Sequence, residues 1–243
     1  MSNFFKEAKQ FDAQLFQMRS ESEVEFPWYP YGALNNFVHL ESILHDFPIY
    51  RLATPGQKIL DIGAADGDVA FFLESLGYKV EIIDNSPTNM NQLKGARYLK
   101  KALKSKVKIR DINLDHLGVK FPGSKYSLVI FLGILYHLKN PFSVLEQLAT
   151  KSEYMLLSTR VAKHSANGIR ISDQSLAYLV GPDECNNDST NYWIFSLTGL
   201  ERILDRAGWD VVISKTVGDI DMSNPFEPDH DERCFMLLKS RMT

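Results

Sequence analysis

Cysteine is scarce in this chain of 243 residues: only Cys185 and Cys234 occur, far apart and without metal-ligand spacing. They predict neither a disulfide framework nor a zinc site. No apolar run is long enough to span a bilayer, and the opening Met1-Ser-Asn-Phe-Phe-Lys6 lacks the basic-then-apolar order of a signal peptide. A cytoplasmic location is therefore the expectation. Repeats and low-complexity linkers are also missing. The acids Glu227, Asp229, Asp231 and Glu232, with His230 among them, stand too close in sequence to converge easily on one ion, so no metal is expected. The net charge of −3 is near balance, and 44% hydrophobic residues suffice for one α/β domain of this size. A further absence has the most consequence. Nowhere does the chain present the G-x-G-x-x-G turn that holds a dinucleotide pyrophosphate.

What stands in its place is Ile59-Leu-Asp61-Ile-Gly63-Ala64-Ala65-Asp66-Gly67. Ile59, Leu60 and Ile62 form the apolar run of an inner parallel strand, and the glycines permit a tight turn that a ligand's atoms approach closely. Val69 to Leu76, closed by Gly77, predicts the following helix. Asp66 and Asp68 are expected to place carboxylates where a pyrophosphate would lie and so to repel it. S-adenosylmethionine (SAM) has no phosphate, and its ammonium suits carbonyls and carboxylates. The turn resembles motif I of the class I SAM-dependent methyltransferases, D-x-G-x-G-x-G, with Ala65 at the middle glycine. Ala65 is expected in a conformation open to a residue with a Cβ.

A second strand, Val80 to Asp84, ends in an acid 17 positions after Gly67 and runs on into Asn85-Ser86. An ionised carboxylate there accepts from both ribose hydroxyls, so Asp84 is the expected ribose ligand, alongside Asn85. Asp84 can equally cap a helix predicted to begin near Pro87. A third strand from Val107 leads to Leu114 and Asp115, expected at the adenine, with Asp111 as the alternative register. The fourth strand, Ser127 to Leu132, reaches Gly133-Ile-Leu-Tyr136-His137, then Asn140-Pro141 opens another helix. Leu132, Tyr136 and His137 thus fall at the C-terminal edge of the sheet, where ligands of open α/β sheets bind. His137 is either a proton acceptor for the attacking group or a structural histidine.

Residues 3–19 and 33–47 predict two helices that form a cap over residues 1–50, ahead of a domain over residues 51–243. Between the helices, Phe26-Pro-Trp28-Tyr29-Pro30-Tyr31-Gly32 is an aromatic loop held extended by prolines. It either packs on the sheet edge or walls the cofactor or substrate, and Trp28 and Tyr29 are substrate candidates on the second reading. Tyr154 to Arg160 is a fifth strand, followed by an excursion over residues 161–195. Its polar cluster Gly181-Pro-Asp183-Glu184-Cys185-Asn186-Asn187-Asp188 and the aromatic Asn191-Tyr192-Trp193 are either an acceptor-recognition insertion, through Asn187 and Trp193, or a turn-rich surface loop. Thr198-Gly-Leu-Glu201 predicts a helix capping box, Gly208 closes that helix, and strands over residues 210–215 and 234–239 complete a seven-stranded sheet. Lys94, Arg97, Lys100, Lys101, Lys104, Lys106, Lys108 and Arg110 form a stripe without an acid, either a solvated face or a contact for RNA phosphates.

Phe26-Pro-Trp28-Tyr29-Pro30, the helix with His39, the turn from Leu60 to Gly67, Gly133-Ile-Leu-Tyr136-His137, Asn140-Pro141 and Asn191-Tyr-Trp193 together resemble the methyltransferase domain of the tRNA wobble-uridine carboxymethyltransferase group. The resemblance spans most of residues 26–240 and implies an α/β fold: a seven-stranded, Rossmann-like sheet with helices on both faces and an N-terminal helical cap. It implies that Tyr136 and Arg233 meet a carboxylate. The group's lysine after Pro-Trp has no counterpart, since Tyr29, Pro30 and Tyr31 stand there, and a segment with tryptophan and lysine after the histidine is absent. Those departures point to plain SAM rather than a carboxylated form, and a shorter N-terminal region points away from tRNA.

The expected reaction is an in-line displacement, in which an oxygen or nitrogen of a small molecule, glycan or lipid precursor takes the methyl group and S-adenosylhomocysteine (SAH) leaves. Asp61, Gly63, Ala65, Gly67, Asp84, Asn85, Leu114, Asp115 and Leu132 would hold the cofactor. Tyr136 would orient its methyl end, and His137, Asn187 and Trp193 would meet the acceptor. A tRNA-modifying transferase and a SAM-binding regulator without turnover remain the alternatives, and a nicotinamide enzyme is the weakest.

Overall fold

A computed structural model describes residues 3–116, 118–122, 125–185 and 187–243, so Asn186 of the polar cluster lies outside the described residues. The fold is mixed α/β. Its contacts divide it into two units, residues 1–113 with 126–130, and residues 114–125 with 131–243.

The first unit begins with α1 (Asn3–Ser20), a 3-10 turn (Ala33–Asn36), α2 (Phe37–Asp46) and the short α3 (Ile49–Leu52). It continues through β1 (Lys58–Ile62), α4 (Asp68–Ser75), β2 (Lys79–Asp84), α5 (Lys94–Ala102), β3 (Lys108–Asp111) and residues 126–130 of β4 (Tyr126–Leu132). These strands run parallel in the order β3-β2-β1-β4, and β1 and β2 are buried along most of their length, as strands covered on both faces are. In α4, Val69, Ala70, Phe71, Phe72 and Leu73 are all buried, so the helix is covered all round. Part of that cover comes from the N-terminal helices. Phe72 meets Phe4 at 5.3 Å, Phe11 at 5.8 Å and Phe37 at 6.1 Å between ring centroids. Residues 1–50 thus belong to the same unit as β1 to β3.

A buried carboxylate ties the four strands together. Glu81 on β2 is 4% exposed and has Arg110 of β3 at 3.4 Å, Lys58 of β1 at 3.9 Å and Lys108 at 4.0 Å. The Tyr126 hydroxyl of β4 donates to it at 3.1 Å. Burial, then the adjacent negative charge of Glu81, raises the pKa of Tyr126, so the phenol stays a donor. Arg110 of the stripe is half-buried and, with the exposed Lys108, is turned toward Glu81, whereas Lys94, Arg97, Lys101 and Lys104 are exposed.

The second unit holds α6 (Pro141–Ala149), β5 (Ser152–Val161), β6 (Ala177–Leu179), β7 (Trp193–Phe195), α7 (Leu197–Arg206), β8 (Trp209–Gly218) and β9 (Glu232–Ser240). β9 pairs antiparallel with β5 and β8, β7 pairs parallel with the end of β5, and β6 lies antiparallel on β7. Strands β6 and β7 arise inside the excursion over residues 161–195, which accounts for more strands than the seven expected. The indole of the buried Trp209 donates to the Leu145 carbonyl at 3.0 Å, which anchors α6.

Two local expectations are corrected. No helix starts near Pro87, because the Asn89 side chain accepts from the amides of Asn91 and Leu93 and holds that segment as turns. Gln92 and Leu93 adopt positive φ there, and α5 begins only at Lys94. Helix α7 is capped by Ser196, whose hydroxyl accepts from Gly199 N at 3.0 Å, while the Thr198 hydroxyl donates to the Gln174 carbonyl instead.

Glu81→Ala should destabilise the fold by about 1–3 kcal/mol, since it leaves three cations and a phenol facing one another without their anion. Urea unfolding measures this. An unchanged midpoint would show that the carboxylate does not tie the strands.

Candidate cofactor site

The turn after β1 is built on left-handed backbone. Gly63 has φ +67°, Ala65 φ +54° and Gly67 φ +88°. A Cβ at Gly67 would lie 2.6 Å from the Phe71 ring, so both conformation and packing require glycine there. Ala65 departs from expectation: its φ lies in the region L-residues disfavour, at a cost on the order of 1–2 kcal/mol. Hydrogen bonds hold it there. Its amide donates to Asp84 Oδ2 at 3.3 Å, and its carbonyl accepts from Asn89 Nδ2 at 3.4 Å.

Asp84, at the end of β2, is thus anchored to the turn after β1. Asn85 N donates to its Oδ1 at 2.7 Å and Asn89 Nδ2 to its Oδ2 at 3.1 Å. Burial raises its pKa against these three donors. A carboxylate offers about four lone-pair positions, which leaves capacity for a hydroxyl. Asp61, in the neighbouring strand β1, is 4% exposed, and its Oδ2 has no hydrogen-bond partner among the described residues. Burial, with Asp84 and Asp68 adding to it, pushes its pKa up to about 8.

Asp66 and Asp68 do not play the part expected of them. Both are buried and turned into the fold. Asp66 accepts from Tyr29 N at 3.0 Å and from Asn91 Nδ2 at 2.7 Å, with Arg19 Nη2 at 3.8 Å. Asp68 pairs with Arg19 and accepts from Ala33 N at 3.3 Å. Burial raises the Asp68 pKa, and Arg19 opposes that. Gly95 of α5 packs so closely that a Cβ would stand 2.0 Å from Asp66 Oδ1. The two acids are therefore anchors for the N-terminal segment, with Arg19 as countercharge, and their repulsion is not what disfavours a diphosphate.

The aromatic loop is held by the same anchors. Trp28 Nε1 donates to Ser22 Oγ at 3.1 Å, and its ring lies 5.0 Å from Phe26 and 5.5 Å from Tyr98, with the Arg19 guanidinium 5.6 Å away. Tyr29 OH accepts from Met90 N at 3.1 Å, and burial pushes its pKa up to about 12. Both residues remain half-buried.

The second unit gathers Tyr136, His137 and Arg233. Gly133, φ +74°, follows the half-buried Leu132 and donates to Ser158 O at 2.9 Å. Arg233 Nη1 donates to Tyr136 OH at 3.4 Å with its guanidinium 5.8 Å from that ring. Asp231 lies between two arginines, 3.3 Å from Arg233 Nε and 3.0 Å from Nε of the buried Arg160. Burial works to lower the Arg233 pKa, but Tyr136 and Asp231 outweigh it and the net shift is upward. The His137 ring lies 4.3 Å from that of Tyr136, and its Nδ1 is 3.1 Å from Thr190 O and 3.0 Å from Thr190 Oγ1. Burial lowers the His137 pKa, the Thr190 carbonyl and Asp188 oppose this, and Arg233 adds to it.

The other expected residues are placed as follows. Leu114 is buried, and Asp115 accepts from Asn140 N at 3.0 Å. Asp111 accepts from Ser86 N at 2.9 Å, and those Ser86 hydrogen bonds lower its pKa. Asn187 is exposed with φ +55°. Trp193 sits on β7 with a buried Nε1 that has no hydrogen-bond partner among the described residues. Among the described residues no group of three His, Cys, Asp or Glu is placed to hold a metal ion, and no helix is long and apolar enough to cross a membrane. Arg19, Asn89, Asn91 and Thr190 were not marked by local sequence as functional supports, because each has a partner distant in sequence.

The unpartnered Asp61 oxygen and the spare capacity of Asp84 fit a ligand that carries a cation and a diol, as SAM does. A family described as "Methyltransferase domain" matches residues 36–214. A tRNA U34 carboxymethyltransferase of Campylobacter hominis is 29% identical over 151 residues, 59% of this chain and 51% of that protein. The chain thus spans about half the length of that curated relative. Among solved structures, the N-terminal domain of EvdMO1 with SAH bound aligns with TM-score 0.59 at 14% identity, covering 96% of this chain and 97% of that one. The (4+2)-cyclase SpnF aligns with TM-score 0.61 at 11% identity, covering 99% and 97%. These structures share the fold.

Because the folded-state pKa of Asp61 is raised from 3.8 to about 8, the ionisation-linked cost of its burial is absent below pH 3.8, grows between pH 3.8 and 8 and levels off above. Asp61→Asn should therefore raise the thermal midpoint at pH 8 and leave it unchanged near pH 3.5. Equal midpoints at both pH values would contradict the burial of a carboxyl there.

Proposed function

Since this chain belongs to the methyltransferase domain family, we propose that it transfers a methyl group from SAM to an oxygen or nitrogen of a small molecule, glycan or lipid precursor. The observation that carries this is the Asp84–Ala65–Asn89 cluster, which holds a left-handed turn open beside a carboxylate with spare acceptor capacity. When bound, SAM supplies a methyl carbon made electrophilic by its sulfonium. Asp84, with Asn85, takes the ribose hydroxyls. Backbone at Gly63, Ala65 and Gly67 approaches the ligand without obstruction, and Asp61, once ionised, faces the ammonium. Leu114, Asp115 and Leu132 are assigned to the adenine side. Tyr136, oriented by Arg233, places the methyl end, and His137 receives the acceptor's proton. Trp28, Tyr29, Asn187 and Trp193 are assigned to the acceptor. Alignment and exclusion of water supply much of the rate, because the leaving group is good.

A tRNA acceptor is a second reading. It is favoured by the Campylobacter relative and by Lys94, Arg97, Lys101 and Lys104, which are exposed at 3-4-3 spacing along and just beyond α5. SAM binding without turnover is the third.

Purified protein supplied with SAM tritiated in the methyl group should label one chromatographic fraction of a cell extract, with SAH as co-product. Asp84→Asn should weaken SAM binding by about 10- to 100-fold and reduce labelling accordingly. Labelled RNA would select the second reading, and SAM binding with no labelled product in any fraction would contradict transferase activity.

A further inference from the structure

We propose that Thr190 and Asp188 are positioning residues that fix His137 in the Nδ1–H tautomer, leaving Nε2 as the proton acceptor for a hydroxyl nucleophile. The inference rests on the methyl-transfer reading for its reaction, but its geometry stands apart from it. A carbonyl oxygen only accepts, so the 3.1 Å contact between His137 Nδ1 and Thr190 O requires a proton on Nδ1. The Thr190 hydroxyl agrees. Its hydrogen is directed to Asp188 Oδ1 at 2.6 Å, so toward Nδ1, 3.0 Å away, it presents a lone pair. Asp188 Oδ1 also accepts Thr190 N at 2.9 Å, which fixes the hydroxyl relative to the ring.

The loop is built to hold this arrangement. Cys185 and Asn187 both adopt positive φ, a conformation that persists only where neighbouring contacts over-determine it. Cys185 is held by Asn191 Nδ2, which donates to its carbonyl at 3.0 Å, and by Arg160 Nη1 at 2.7 Å from its Sγ, and beyond Thr190 the chain is tied to the helix-start segment by Tyr192 N donating to Tyr136 O at 2.8 Å. Among the described residues, the groups that face His137 are the Tyr136 ring, Thr190, the Asp188 carboxylate and the Arg233 guanidinium. Burial and Arg233 favour neutral imidazole, and Asp188 opposes them.

A neutral histidine with a fixed tautomer is needed by an acceptor whose nucleophile carries a proton that must leave. A carboxylate or a neutral amine attacks through an existing lone pair. A hydroxyl gains most from a base. In the step, the acceptor O–H bond breaks and its proton moves to His137 Nε2. The oxygen pair forms the bond to the methyl carbon, and the carbon–sulfur pair remains on sulfur. The positive charge passes from sulfonium to imidazolium.

Long-range proton–nitrogen NMR on the uniformly nitrogen-15-labelled full chain reads the tautomer and titration of His137 without any acceptor, with His137→Gln identifying the signal. Wild type and Thr190→Ser should show pyrrole-like Nδ1 and pyridine-like Nε2, with titration below 6.5. Asp188→Asn should keep that tautomer, because the Thr190 carbonyl still accepts from Nδ1, and move the titration to lower pH, because a charge that favours imidazolium is gone. In the tritium assay, Asp188→Asn should lower the rate roughly tenfold at unchanged SAM affinity, shift the acid limb in the same direction, and leave the wild-type product a methyl ether. An Nε2–H tautomer in wild type, an Asp188→Asn titration identical to wild type, or a product methylated on carboxylate or nitrogen would overturn the inference. Absence of SAM binding by calorimetry alongside the expected tautomer would instead remove the methyl-transfer reading.

Discussion

The ion-paired anchor between Arg19 and the two acids of the glycine turn is the constraint on which the first unit depends. Asp66 and Asp68 have lost their water, and a buried carboxylate is tolerated only when charge and hydrogen bonds replace it. Arg19 provides the charge, and Tyr29 N, Ala33 N and Asn91 Nδ2 provide the donors. Satisfying the acids therefore fixes the end of α1, the aromatic loop and the turn before α5 at one place. The glycine turn gains its shape in return, since Gly95 and Gly67 permit close packing around carboxylate and ring.

That arrangement changes what the turn's chemistry means. Its acids face inward and compensate an arginine, so what is left for a ligand is backbone and Asp84, with the buried Asp61 oxygen, unpartnered among the described residues, behind them. In the second unit, charge is distributed along Arg160, Asp231, Arg233 and Tyr136, while His137 is held separately through Thr190. Arg233 is thereby half-neutralised before it meets any substrate. The likeness to EvdMO1 and SpnF is one of fold, and fold does not fix function, so the acceptor has to be argued from side chains such as these.

Much of the frame was legible because it depends on local pattern. Apolar runs, interrupted only by Asp61 in β1 and Glu81 in β2, marked β1, β2 and β4, and the acid at the end of β2 fell at an offset set by strand and helix length. What sequence did not reveal was side-chain direction. Asp66 and Asp68 look alike whether they face ligand or core, and only the distant Arg19 decides. The helix expected near Pro87 failed because the Asn89 side chain competes for backbone donors, which periodicity does not register. At α7, the expected Thr198 cap gave way to Ser196, because the Thr198 and Ser196 hydroxyls are engaged by Gln174 and Leu176, about twenty residues upstream. The pairing of His137 with Thr190 spans 53 residues, beyond any local rule.

The central claim is that a turn whose acids are internally compensated, beside Asp84, binds an adenosyl sulfonium or its product. Calorimetric titration of the purified full chain with SAH, and in parallel with NAD, tests it most directly. The account predicts saturable one-to-one binding of SAH and no heat from NAD. Binding of NAD with none of SAH would contradict it.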